Sequence, residues 1–150
     1  MSARVFVDTN VVVYSLDAAE PHKQERARAW MEHLWRSRLG RLSWQVLHEI
    51  YVTVTEKLEP GLDAAQAREV VRSLMAWRPV ANDRRVVEAA WALQDAHRIS
   101  WWDALVLGAA QVAACPVLLS EDLQDGAELG GVRVVSPFTT SPEALVEWRR

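Results

Sequence analysis

Residues 4–10 read Arg-Val-Phe-Val-Asp-Thr-Asn, and the fold follows from how that stretch is read. Val5, Phe6 and Val7 form an apolar run suited to a strand covered on both faces. Asp8, Thr9 and Asn10 then break the run with turn and helix-cap chemistry. In an open parallel sheet, ligands sit just outside the carboxyl ends of the strands, so an acid at that place faces a potential site. The plainer role for Asp8 is to start the next helix. The choice between the two turns on the other acids in the chain.

Outward from that strand the apolar spacing alternates between the two periods. Residues 11–16 make a short apolar helix, and Pro21 starts a longer one with Ala27, Trp30, Met31 and Leu34 on its packed face. Arg36, Arg38 and Arg41 surround the turn at Gly40, as a solvated helix end or a phosphate contact. A short second strand is expected over residues 41–43. Residues 44–58 repeat helix periodicity through Leu47, Ile50, Tyr51, Val54 and Leu58, which sets Glu49 beside the apolar stripe. After Pro60-Gly61, Asp63 and Gln66 form a capping box for a helix packed through Ala67, Val70, Val71 and Leu74. Residues 79–82 are expected as a strand. A helix over residues 83–97 follows, burying Val86, Val87, Ala90, Trp91 and Leu93. Ser100 then caps the most apolar helix in the chain, and Val117–Leu119 and Val132–Val135 are the remaining strands. Ser141-Pro142 starts a last short helix. Alternation of this kind predicts an α/β fold with a mostly parallel sheet covered on both faces.

At 150 residues and 50% hydrophobic content the chain suits one domain, residues 1–150, with a substantial core. Its single cysteine, Cys115, excludes an internal disulfide and is expected as a small buried hydrophobe. Residues 1–4 run straight into the strand with no signal-peptide pattern. The apolar window 104–119 is broken by Gln111 and Pro116 and is too short for a membrane span. A cytoplasmic protein without a membrane partner is expected. The net charge of -3 argues against a simple charge-driven nucleic-acid binder. Lys23 and Lys57 are the only lysines, so arginine carries nearly all the positive charge, and its fork suits phosphate.

Asp8 and Asp122 each fall at the carboxyl end of an expected strand. Asp103 lies in the first turn of the buried helix, and Glu49 borders another helix's packed face. Singly, each has an ordinary role: turn residue, capping-box partner of Ser100, solvated helix charge. Collectively they suggest one cleft. Two carboxylates ~5 Å apart repel by about 3 kcal/mol at an effective dielectric near 20, so such a cluster asks for a cation. Oxygen-only donors favour Mg²⁺ or Mn²⁺, and the absence of Cys-His spacing disfavours zinc.

At these residues the sequence resembles the PIN-domain nucleases, and among them the VapC-like toxins of toxin-antitoxin pairs. The resemblance spans nearly the whole chain. It rests on Val-Asp-Thr-Asn-Val at Asp8, His-Glu-Ile at Glu49, Ser-Trp-Trp-Asp-Ala-Leu at Asp103, and Leu-Leu-Ser-Glu-Asp-Leu-Gln-Asp-Gly around Asp122. It implies a three-layer α/β/α fold and magnesium-dependent endonucleolytic cleavage of RNA. It further implies catalytic acids at Asp8, Glu49, Asp103 and Asp122, with Asp8 and Asp103 as direct metal ligands. Glu49 would be a ligand or a base for water, and Asp122 a ligand or outer group for a second metal. Thr9, Asn10 and Ser120 would orient them, and Asp125 rivals Asp122. A homodimer and a cognate antitoxin are also implied.

Rival readings are a non-catalytic RNA- or protein-binding module on the same fold, and a phosphatase using Asp8 as nucleophile. Asn10 stands where the second phosphatase acid would be, which weakens the latter. No P-loop glycine pattern exists. His22, His33, His48 and His97 lack ligand spacing. Of the eight tryptophans, Trp30 and Trp91 fit packed faces, while Trp101 or Trp102 could flank the cleft and stack on a base.

Overall fold

The computed structural model describes residues 3–148, and the side chains of residues 3–145. The ends of the expected domain, residues 1–2 and 149–150, lie outside the described residues. The chain runs β1 (Val5–Val7), α1 (Thr9–Ser15), α2 (Pro21–Ser37), β2 (Gly40–Arg41), α3 (Trp44–Val52), α4 (Ala64–Leu74), α5 (Arg84–Ala96), α6 (Trp101–Val112), β3 (Val117–Leu119), β4 (Glu128–Leu129), β5 (Val132–Val135) and α7 (Pro142–Trp148). The sheet order is β2-β1-β3-β5-β4. β1 lies parallel to β2 and to β3, with Phe6 opposite Arg41 and Leu118, and β3 lies parallel to β5. Only β4 is antiparallel, on the far edge.

Every residue of β1 and β3 is buried. Continuous apolar triplets are what a parallel sheet covered on both faces requires. Phe6, Leu118 and Leu119 join Trp30, Leu34, Leu47, Ile50 and Leu107 as fully buried side chains. Cys115 is 3% exposed, as a small core hydrophobe, and burial pushes its thiol up to about 12. Among the described residues no helix is long and apolar enough to cross a membrane.

Several local expectations are corrected. The second strand is Gly40–Arg41 rather than 41–43, because Ser43 is the N-cap of α3 and its Oγ accepts from the Val46 amide. Residues 79–82 form no strand; Val80 makes an isolated bridge to Ser43. The helix of residues 44–58 is α-helical only to Val52 and continues as a wide π turn, Thr53–Lys57, closed by the Leu58 amide on the Thr53 carbonyl. Hydrophobic spacing does not distinguish one inserted residue in a helix from ordinary drift. Trp91 is 52% exposed instead of buried, and its ring lies against Trp101. Val70, Val71 and Val87 are only half-buried.

The tightest helix contact is between α5 and α6, where a glycine permits close approach. A Cβ added at Gly108 would stand 2.9 Å from the Val86 carbonyl oxygen and 3.2 Å from the Ala90 amide nitrogen, both backbone atoms. Gly108→Ala must therefore separate the two helices. It is expected to lower stability by about 1–3 kcal/mol, read from the midpoint of chemical denaturation.

Candidate functional site

The backbone carries Asp8 to the end of β1 and holds it there. Its amide continues the parallel ladder by donating to the Leu119 carbonyl at 3.0 Å. The residue is then extended, with φ -77° and ψ 158°, and serves as the N-cap of α1. One carboxylate oxygen, Oδ1, accepts from the Thr9 amide at 2.8 Å. The other, Oδ2, accepts from the Ser120 hydroxyl at 2.8 Å and from Asn10 Nδ2 at 3.4 Å. Ser120 stands at the end of β3 in the place that Asp8 occupies on β1, so two neighbouring strand ends meet at one carboxylate. Asp8 is thus the helix cap, and capping uses one carboxylate oxygen while the other is turned to the end of β3.

Around this centre the hydrogen bonds form one connected set. Asn10 Oδ1 accepts from the Glu121 amide at 3.2 Å and its Nδ2 donates to Ser120 Oγ at 3.3 Å. Ser120 Oγ also accepts from the Asp122 amide at 3.1 Å. On the other side, the Thr9 hydroxyl donates to Glu49 Oε2 at 2.7 Å. Gln45 Nε2 donates to Glu49 Oε1 at 2.9 Å, and Asn82 Nδ2 donates to Gln45 Oε1 at 2.8 Å. Glu49 is half-buried and borders a cleft of about 350 Å³ lined also by Thr9, His48, Thr53 and Lys57. The π turn after α3 therefore forms one wall of this cleft.

Asp8 is 6% exposed. Burial raises its carboxyl from 3.8 to about 6 against the opposing pull of the Ser120 and Thr9 hydrogen bonds, and the negative charges of Asp122 and Glu49 add to the rise. These three acids are thus brought together electrostatically. Asp103 sits on the first turn of α6, half-buried, with its amide donating to Ser100 Oγ at 3.1 Å. Unlike Asp122 and Glu49, Asp103 is not among the charges that raise the Asp8 carboxyl. Among the described residues no three His, Cys, Asp or Glu side chains stand close enough to hold an ion together.

The sequence left Asp122 and Asp125 as rivals. The Asp125 carboxylate accepts from the Ser136 amide at 2.9 Å and from the Thr139 hydroxyl, so it ties down the turn after β5. Asp122 is exposed and its amide shares Ser120 with Asp8. Sequence reasoning missed Gln45 and Asn82, which hold Glu49 in place. Gln45 lies four residues before Glu49, the spacing at which helical side chains meet, and that signal was available. Asn82 reaches the site only through tertiary structure.

The sequence model of the PIN domain matches residues 5–124. Three solved structures share the fold. A toxin-antitoxin complex from Klebsiella pneumoniae aligns at 19% identity and TM-score 0.63, covering 91% of this chain and 99% of that one. FitAcB from Neisseria gonorrhoeae aligns at 19% identity and TM-score 0.64, with the same coverages of 91% and 99%. DNA-bound VapBC from Salmonella typhimurium aligns at 14% identity and TM-score 0.64, again covering 91% and 99%. No match is found among curated proteins.

The raised Asp8 carboxyl has a consequence for stability. Because folding favours its protonated form, Asp8 costs no stability below pH 3.8. The cost grows as pH rises from 3.8 and levels off above about 6, at about 3 kcal/mol. Asp8→Asn mimics the protonated acid. In metal-free buffer it is expected to be more stable than the parent protein at pH 8 by up to about that amount, and equal to it near pH 4. Urea titrations at the two pH values check this.

Proposed function

The chain belongs to the PIN-domain family, and on that footing we propose that it is a metal-dependent endoribonuclease hydrolysing RNA phosphodiester bonds, the VapC-like toxin of a toxin-antitoxin pair. The single observation that carries this reading is the buried carboxylate of Asp8, held by Ser120 and Thr9 at a strand end with Glu49 and Asp122 beside it. A structural acid would be expected to have a basic partner at that depth. Asp8 has hydrogen-bond donors and further acids instead.

The donor chemistry fits a hard divalent cation, Mg²⁺ or Mn²⁺. Asp8 and Asp103 would hold it, with Glu49 and Asp122 at its margin. Of these only Asp8 is buried; Glu49 is half-buried and held by Thr9 and Gln45, while Asp103 is half-buried and Asp122 exposed, so these last two have freedom to turn toward Asp8. When bound, such an ion supplies Lewis acidity that activates water and neutralises phosphate charge. The protein's own part is positional. Ser120 and Asn10 fix the Asp8 carboxylate, and Asp125 steadies the loop that carries Asp122. Thr9 and Gln45 each bind one oxygen of Glu49, which fixes the plane of its carboxylate against the cleft. In that position Glu49 orients water and accepts its proton as the phosphodiester is attacked. No covalent protein intermediate is required.

The remaining expectations fit the same reading: one nuclease domain over residues 1–150, acting in the cytoplasm as a homodimer and silenced by a cognate antitoxin. A second reading, a non-catalytic RNA- or protein-binding module, is favoured by the lack of a preassembled three-acid group among the described residues.

Cleavage separates the two. With Mg²⁺ or Mn²⁺ the protein is expected to cut single-stranded RNA, and chelator is expected to stop it. Asp8→Asn and Asp103→Asn, purified in parallel, are each expected to lose at least about a hundred-fold in rate. Equal cleavage by the parent protein and both variants would reject the reading.

A further inference from the structure

A second pocket lies at the β2 edge of the sheet. It has a volume of about 290 Å³ and is lined by Trp35, Arg38, Gly40, Arg41, Trp77 and Arg78. Trp35 comes from the last turns of α2, Arg38 from its C-cap, Gly40 and Arg41 from the edge strand β2. Trp77 and Arg78 follow α4 in a short 3₁₀ turn. The three arginines are brought there from two separate segments.

The charge in this pocket is unbalanced. Among the described residues the ion pairs are Lys23 with Glu121, Arg72 with Glu69, Arg84 with Glu88 and Arg85 with Asp83. None involves Arg38, Arg41 or Arg78. The Arg41 guanidinium donates to the carbonyls of Arg38 at 3.1 Å and Gly40 at 2.8 Å, contacts that orient it without neutralising it. Burial, with the nearby guanidiniums of Arg4 and Arg78, pulls Arg41 below its ordinary value. The end of α2 favours positive charge near Arg38 and Arg41, but three guanidiniums gathered with no ion-pair partner among the described residues exceed what one helix end uses and suit an anion.

Two backbone features reinforce this. Arg38 has φ 61° and Arg78 has φ 55°, both in the left-handed region that glycine occupies without strain. Stability alone would favour glycine at either position; both carry arginine and both line the same pocket. Gly40, by contrast, is required by packing, since a Cβ there would stand 2.6 Å from the Trp77 ring. The Trp77 ring is therefore pressed against β2 and is 4% exposed. It supports Trp35, whose centroid is 5.0 Å away and which is 41% exposed. A rigidly backed aromatic face beside unpaired guanidiniums matches the needs of a nucleotide: a surface for the base and charge for the phosphate.

We propose that this pocket binds a nucleotide of single-stranded RNA, with the base on Trp35 and the phosphate held by Arg38, Arg41 and Arg78, as a docking site separate from the Asp8 cleft. That the occupant is RNA rests on the proposed ribonuclease function; the pocket's affinity for a phosphate-bearing aromatic ligand does not.

The test uses fluorescence anisotropy of a labelled short single-stranded oligoribonucleotide with the full chain in EDTA, so cleavage plays no part. Arg38→Gly/Arg78→Gly is expected to melt no lower than the parent protein, because glycine relieves both left-handed positions. It should nevertheless bind about ten-fold more weakly, and its slope of log affinity against log salt should be shallower by about 1.4. Trp35→Ala is expected to weaken binding by roughly ten-fold, with Trp35→Phe restoring most of it. Unchanged affinity and slope in the folded double glycine variant would overturn the proposal. So would poly-glutamate binding as tightly as the RNA, which would mark an acidic-polypeptide site. A protein that shows the arginine-dependent binding yet never cleaves RNA would lose the ribonuclease reading and keep this one.

Discussion

The contact between the Ser120 hydroxyl and the Asp8 carboxylate, 2.8 Å long and wholly buried, joins the ends of the two central strands. Much of the molecule follows from keeping that acid where it is. β1 and β3 are each three residues long and apolar on both faces, so neither strand can shift register without withdrawing Asp8 or Ser120 from the meeting point. The helices that cover them supply the low-dielectric surroundings that raise the Asp8 carboxyl. Helix α3 brings Glu49, and the turn after β3 brings Asp122, close enough to raise it further. Folding here accepts an electrostatic penalty of a few kcal/mol at neutral pH, a sizeable share of the stability of a small domain. Such a penalty, with no basic partner among the described residues to offset it, is what the proposed cation site would account for.

The rest of the site is graded by mobility. Asp8 is fixed by the sheet, and Glu49 is held by side chains from α1 and its own helix. Asp103 and Asp122 are fastened through backbone amides with their carboxylates left unbonded. The π turn after α3 widens the helix just where it borders Glu49 and carries Thr53 and Lys57 to the cleft. The sheet thus has acids past the carboxyl end of β1, around Asp8, and arginines along its β2 edge, around Arg41. The modest net charge of the chain conceals this separation.

How much of this the sequence revealed depended on the length and strength of each local signal. β1, β3 and β5 were legible because uninterrupted apolar runs bounded by turn residues have few other readings. The capping box at Asp63 and the cap at Ser100 were equally plain in type, since they are local hydrogen bonds. β4 was not legible. Two residues returning through Gly130 and Gly131 carry no periodicity, and the pairing is made by β5. β2 was misplaced by a residue or two because Ser43 suits both a strand end and a helix cap. Trp91 was read as buried from its place in a helical stripe, but it stands at the stripe's margin, 52% exposed, with its ring against Trp101. Of the site, the strand-end acids were legible one by one. The bonds that gather them, from Ser120 to Asp8 across 112 positions and from Thr9 to Glu49 across 40, belong to the tertiary fold.

The central claim is that the buried Asp8 carboxylate is kept for a divalent cation. Its titration followed by carboxyl-carbon NMR, in chelator and then with Mg²⁺, tests that claim most directly. The account predicts a midpoint near 6 in chelator, displaced to below the ordinary carboxylate value when Mg²⁺ is added. A midpoint that stays the same with and without the ion would contradict it.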